Sequence, residues 1–228
     1  MKLRIKYSKL GSLRFIGHLD VMRYFQKEIK RSGIRVAYSK GYSPHQIISF
    51  AAPLAMGITS EGEYFDGEFE EITTSKEMID ALNAVSVPEI IVTDCVLLPE
   101  TAKTAMSVVS ASDYRIRIKD GMEASQIFDG LCSFLNQDAI TILKKTKKSE
   151  KEEDIKPGIL VCRLINDEIY MLLQTGSVYN LKPELVMEAL YKYCGLEYDF
   201  LKLAIHRLET YMTQDDEIIP LSMAGEHF

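Results

Sequence analysis

Two α+β sandwiches of ferredoxin type (βαββαβ, antiparallel) in tandem are the fold that this sequence predicts, and three observations predict it. The chain has 228 residues, enough for one large or two small domains with cores of their own. The order strand, helix, strands, helix, strand is read once over residues 1–98 and again over residues 108–212. Between these stretches, residues 99–107 are small and polar and have the character of a linker, while residues 213–228 follow as a tail. No residue-level similarity joins the halves, so the repeat is one of architecture.

The elements follow from periodicity and punctuation. Residues 2–7 alternate, with Leu3, Ile5 and Tyr7 on one strand face and Lys2, Arg4 and Lys6 on the other. Gly17 is read as the N-cap of a helix, with Asp20 at N3 accepting backbone N–H groups; it runs to Ser32, where Gly33 supplies the stop. Its apolar stripe is Val21, Met22, Phe25 and Ile29, and at 100° per residue Arg23, Lys27, Lys30 and Arg31 fall on the opposite side. Short strands are expected over residues 34–38, 46–52 and 63–69, then a helix over 75–84 and a strand over 89–98. In the second half a strand over 108–119, a helix over 122–136 and a strand over 139–148 precede a hairpin that turns at Asn166-Asp167. Pro183 at N1 opens a helix that Gly195 ends, and residues 201–212 form the last strand. The run over 144–154 switches from cationic to anionic and reads as a solvated hairpin tip; the acidic run from Gln214 opens a tail expected to fray.

Composition excludes several classes. At 46% hydrophobic and 26% charged, with a mean hydropathy of −0.05, the chain is ordinary globular material without the roughly 18-residue apolar run of a membrane span. The first ten residues alternate charged and apolar side chains, so no signal peptide is read and a cytoplasmic location is expected. The four cysteines stand 37, 30 and 32 residues apart, which leaves no metal-binding pair or cluster triplet and points to reduced core residues. No cofactor motif of the GxxxxGK[ST], GxSxG or GxGxxG kind is present, and no cofactor is expected.

The net charge of −6 conceals an asymmetry: residues 1–50 carry eleven Lys and Arg against two Asp and Glu, while residues 51–100 carry one against eleven. A local excess of this size can hold a polyanion; the bland alternative is that the acidic stretch lies beside it and neutralises it. The run Glu61, Glu63, Asp66, Glu68, Glu70, Glu71 is read as a solvated edge strand. Lys40-Gly41-Tyr42-Ser43-Pro44-His45 combines two shape-setting residues with donors suited to phosphate oxygens and a ring suited to stacking. Lys2, Arg4, Lys6, Arg14, Arg23, Lys27, Lys30, Arg31, Lys40, Tyr42, Ser43 and His45 together are the candidate nucleic-acid contact surface. A metal-free ribonuclease needs an imidazole to take the 2′-hydroxyl proton and a second donor for the phosphorane, so His45, Lys40, Tyr42 and His18 are the catalytic candidates. Against this, His18 lies near the apolar side of its helix and also reads as a structural histidine.

The run K-x-G-x-L-R-F at residues 9–15, G-H-L-D at 17–20, K-G-Y-S-P-H at 40–45 and G-x-x-S-E-G-E-Y at 57–64 resemble the N-terminal signature of the radical-SAM-linked proteins, a bacterial domain family fused to, or encoded beside, radical S-adenosylmethionine enzymes. The resemblance implies a radical SAM protein as partner. CxxxCxxC is absent here, so this chain would be the companion and not the SAM enzyme. The expected function is a noncatalytic RNA-binding or substrate-presenting accessory module acting with such an enzyme. Its rivals are a metal-independent RNA endonuclease and a protein-interaction subunit that docks an acidic partner.

Overall fold

The computed structural model describes residues 1–145 and 150–228. Mixed α+β architecture with antiparallel strand pairing is observed, and five α-helices lie among the described residues. The chain divides into two compact units, one of residues 1–110 with 207–228 and one of residues 111–206.

In the first unit, β1 (Lys2–Lys9), α1 (His18–Ser32), β2 (Ile48–Phe50), β3 (Thr59–Glu68), α2 (Ser75–Asn83) and β4 (Ile90–Leu97) follow one another. β1 is central, pairing with β4 on one side and β3 on the other, and β2 pairs with β3 through Ile48↔Gly67 and Phe50↔Phe65. α1 forms where expected: Gly17 is the N-cap and Gly33, at φ 78°, ends it in the left-handed conformation. Asp20 makes no capping bond; its carboxylate lies 3.5 Å from Arg23 instead. α2 starts at a capping box between Thr74 and Glu77. Val21, Phe25 and Ile29 of α1 pack with Leu3, Ile5 and Tyr7 of β1 and with Phe50, Phe65, Met78 and Leu82. The rings of Tyr7, Phe25, Phe50 and Phe65 have centroids 4.5–6.3 Å apart, in edge and tilted contacts that favour the aromatic quadrupoles.

Three expectations for this unit need correction. The linker region contains α3 (Ala105–Val108), whose Ala105 is buried. The expected tail is part of the fold. Strand β10 (Leu203–Gln214) turns through Asp215 and Asp216, at φ 50° and 65°, into β11 (Glu217–Pro220). Leu221 is then fully buried, and Glu226 bridges Leu97. An acidic pair with positive φ serves as a two-residue hairpin turn; composition alone suggested fraying. The acidic stretch is likewise no edge: β3 pairs with strands on both sides, and Glu63 and Asp66 are buried.

In the second unit, β5 (Val109–Ile118), α4 (Gly121–Leu135), β6 (Thr141–Lys145), β7 (Glu150–Asp154), β8 (Ile159–Ile165), β9 (Glu168–Gln174) and α5 (Pro183–Tyr193) lead into β10. The strand order is β10-β5-β9-β8, and β6 with β7 forms a separate two-stranded sheet. Asp120 caps α4 by accepting from the N–H groups of Met122 and Glu123. Asn166 and Asp167, at φ 49° and 60°, make the expected hairpin turn, and Gly195 has φ 71° just past α5. The tip of the cationic-to-anionic run, residues 146–149, lies outside the described residues.

Candidate nucleic-acid interface

The basic side of α1 faces solvent. Val21, Phe25, Glu28 and Ile29 are its buried residues, so the helical period turns Arg23, Lys27, Lys30 and Arg31 outward, and all four are exposed. Their other engagements are slight: Arg23 reaches Asp20 at 3.5 Å and Arg31 donates to the Val85 carbonyl at 3.3 Å. Arg14, also exposed, lies over the ring of Phe15 at 4.8 Å.

The 40–45 loop belongs to the same unit, and its far end is tied to α1. Gln46 is buried and donates from Nε2 to the Gln26 carbonyl at 3.1 Å. The loop closes on itself: the Ser39 N–H donates to the His45 carbonyl at 2.8 Å, the His45 N–H donates to Ser39 Oγ at 3.1 Å, and His45 Nδ1 lies 2.8 Å from that hydroxyl. Gly41, at φ 119°, takes a conformation closed to side chains with a Cβ. These constraints leave Lys40, Tyr42, Ser43 and His45 exposed, and the Tyr42 ring stands wholly in solvent.

The basic edge expected on β1 is engaged within the unit rather than open along its length. Arg4 is 1% exposed; its guanidinium grips the Asp66 carboxylate at 2.8 and 3.1 Å and donates to the carbonyls of Leu221 and Lys103, each at 3.2 Å. Lys6 pairs with Glu209 at 2.5 Å, and Lys2 donates to the Ala102 carbonyl at 3.0 Å. The segments around α3 and β11 cover this side of β1, and period-2 alternation cannot say which strand face meets water. A buried cation needs a paired anion: Asp66 of β3 supplies it for Arg4, Glu209 pairs with Lys6, and the cations of α1 stay exposed.

The ribonuclease candidates are not gathered into one site. His45 lines a cleft with Ser39, Gln46 and Asp66, whereas His18 lines another with Tyr7, Lys9, Phe50 and Glu63. The second cleft was not legible in the sequence. Lys9 is 2% exposed and donates to the Ile16 carbonyl at 2.9 Å, while buried Glu63 pairs with Arg207 at 3.0 Å. Burial holds the His18 imidazole below its ordinary value, with Glu63 acting in the other direction and Lys9 in the same one. Its ring meets Phe50 edge-on at 5.6 Å. His18 thus stands half-buried at the margin of the core.

Among the described residues no group of three or more His, Cys, Asp and Glu is placed to hold a metal ion. Cys95 is buried, as expected, but Cys132 is exposed and Cys162 and Cys194 are intermediate; all are free. No helix of the described chain is long and apolar enough to cross a membrane. A family model described as "Uncharacterized protein conserved in bacteria" (DUF2344) matches residues 2–183, and that description carries no link to radical SAM enzymes. No curated protein matches the chain.

Proposed function

This chain belongs to that bacterial family, and from that premise we propose that it is a noncatalytic RNA-binding accessory module whose contact surface is α1 together with the 40–45 loop. The observation that carries the reading is the exposure, in one unit, of Arg23, Lys27, Lys30 and Arg31 beside a braced loop that presents Lys40, Tyr42, Ser43 and His45. Clustered cations gain affinity for a polyanion by releasing its counterions, and an exposed ring adds stacking on an unpaired base. The overall charge of −6 limits this attraction to one face, so binding is local. The order β4-β1-β3 with β2 beside β3, and β10-β5-β9-β8 in the second unit, supports reading each unit as a ferredoxin-type scaffold. The radical-SAM-linked signature supports a radical SAM enzyme as the protein to which the RNA or another substrate is presented.

Fluorescence anisotropy with a short labelled single-stranded RNA tests the surface. Arg23→Glu with Lys27→Glu should weaken binding across RNA sequences and reduce the slope of log affinity against log salt by about 1.4, at roughly 0.7 per lost phosphate contact. Thermal stability should change little, since exposed charges contribute little to it. Unchanged affinity and slope would refute the assignment.

A further inference from the structure

The second unit carries an aromatic-centred arginine row that the first unit's surface does not involve. Along β5, Tyr114, Ile116 and Ile118 are buried, and so are Ile169, Met171 and Leu173 of β9. These residues form the core side of the sheet with the buried faces of α4 and α5. Alternation places Arg115 and Arg117 on the other side, where both are exposed. The register then builds a row across three strands: Tyr170 of β9 lies opposite Arg115 of β5 and opposite Arg163 of β8. The Arg163 guanidinium lies 5.4 Å from the Tyr170 ring centroid, the Tyr170 hydroxyl donates to Asp113 at 3.1 Å, and Arg115 reaches Glu168 at 3.0 Å.

We infer that this open sheet face is a second binding surface for single-stranded RNA, with a base stacking on the Tyr170–Arg163 pair and Arg115 and Arg117 holding flanking phosphates. Three cations against two carboxylates leave the face net positive, and one of those carboxylates, Asp113, is occupied in orienting the ring. Adjacent strands set the backbones of Arg115 and Arg163 roughly 10 Å apart on either side of Tyr170, and that of Arg117 lies roughly 7 Å further along β5. A sheet surface with an aromatic at its centre and cations around it suits unpaired bases, which expose both a π-face and a phosphate to the same surface. The inference deepens the RNA reading and rests on it.

Anisotropy on the full chain separates the two surfaces. Tyr170→Leu should weaken single-stranded RNA binding about five-fold or more through lost stacking with little change in salt slope, while Tyr170→Phe should retain the affinity. Arg115→Gln with Arg117→Gln should lower the slope by about 1.4. A duplex of the same sequence should bind more weakly, and thermal melts check that each variant folds. If these variants bind like wild type while Arg23→Glu with Lys27→Glu loses binding, this inference is overturned and the first surface stands. The opposite pattern overturns the first surface and supports this one, equal binding of the duplex refutes the stacking, and a wild-type chain that binds no RNA overturns both.

Discussion

Glu28 shows how much one buried group can ask of its surroundings. It sits on α1, fully buried, with one carboxylate oxygen accepting from the Ser86 hydroxyl and the other without a hydrogen-bond partner among the described residues. Burial pushes its carboxyl up to about 7, against the lowering effects of Ser86 and Arg31. Because the folded-state value lies above the unfolded one, the folded protein holds the proton more tightly. Stability from this group is therefore complete below the ordinary range near 4.5 and is lost as the pH rises through about 7. The cost of the ionised form is about 3 kcal/mol at roughly 1.36 kcal/mol per unit. Glu28→Gln should flatten the decline in stability between these limits and raise stability above them, as read by urea unfolding across pH. A variant that kept the wild-type slope would place the titration elsewhere. The contrast with Arg4 is instructive, because Arg4 finds an anion and two carbonyls and Glu28 finds one hydroxyl.

At the scale of elements, turns set register. The β8–β9 hairpin turns on Asn166-Asp167, both with positive φ, and β10–β11 repeats the device with Asp215-Asp216. Asn-Gly is preferred for such a turn because the second position accepts positive φ at no steric cost when it lacks a Cβ. Asp167→Gly should therefore stabilise the hairpin by up to about 1 kcal/mol, which for a chain of this size raises Tm by roughly 2–4 °C. A lowered Tm would mean that the Asp167 side chain contributes more than its backbone strain removes. Gly62 marks a different constraint: a Cβ there would stand 2.3 Å from Glu209 Cα, so β3 and β10 approach as closely as they do because the position is glycine.

At the scale of the whole molecule, charge is segregated by burial as well as by sequence position. Residues 207–228 return to the first unit and bring Arg207 and Glu209 against Glu63 and Lys6, so the first unit is completed by both ends of the described chain. What remains outside is a cationic face on a protein of net charge −6. Association through that face should weaken with salt, as exposed charges are screened over about 8–10 Å. If the proposed partnership holds, affinity capture from host lysate at low salt should recover a protein with a CxxxCxxC motif. Recovery that survives ribonuclease would mean direct contact, and recovery lost after ribonuclease would mean an RNA bridge. Failure to recover such a protein under either treatment would rule the partnership out.

Periodicity and punctuation by themselves determined most elements. The α1 stripe from Val21 to Ile29, its Gly17 and Gly33 boundaries, the Asn166-Asp167 turn and the Pro183 helix start are all local features that a linear chain records. The exposed part of the candidate surface was legible for the same reason, since a basic stripe opposite an apolar stripe on one helix can only face water. Burial of the second face of a strand is a different kind of fact. Lys2, Arg4 and Lys6 looked solvated because they alternate with apolar neighbours, and only the segments near residues 99–108 and 207–224 turned that face inward. The Tyr170–Arg115–Arg163 row was invisible for a related reason: its members come from three strands, and cross-strand register is set by pairing, which only tertiary structure decides.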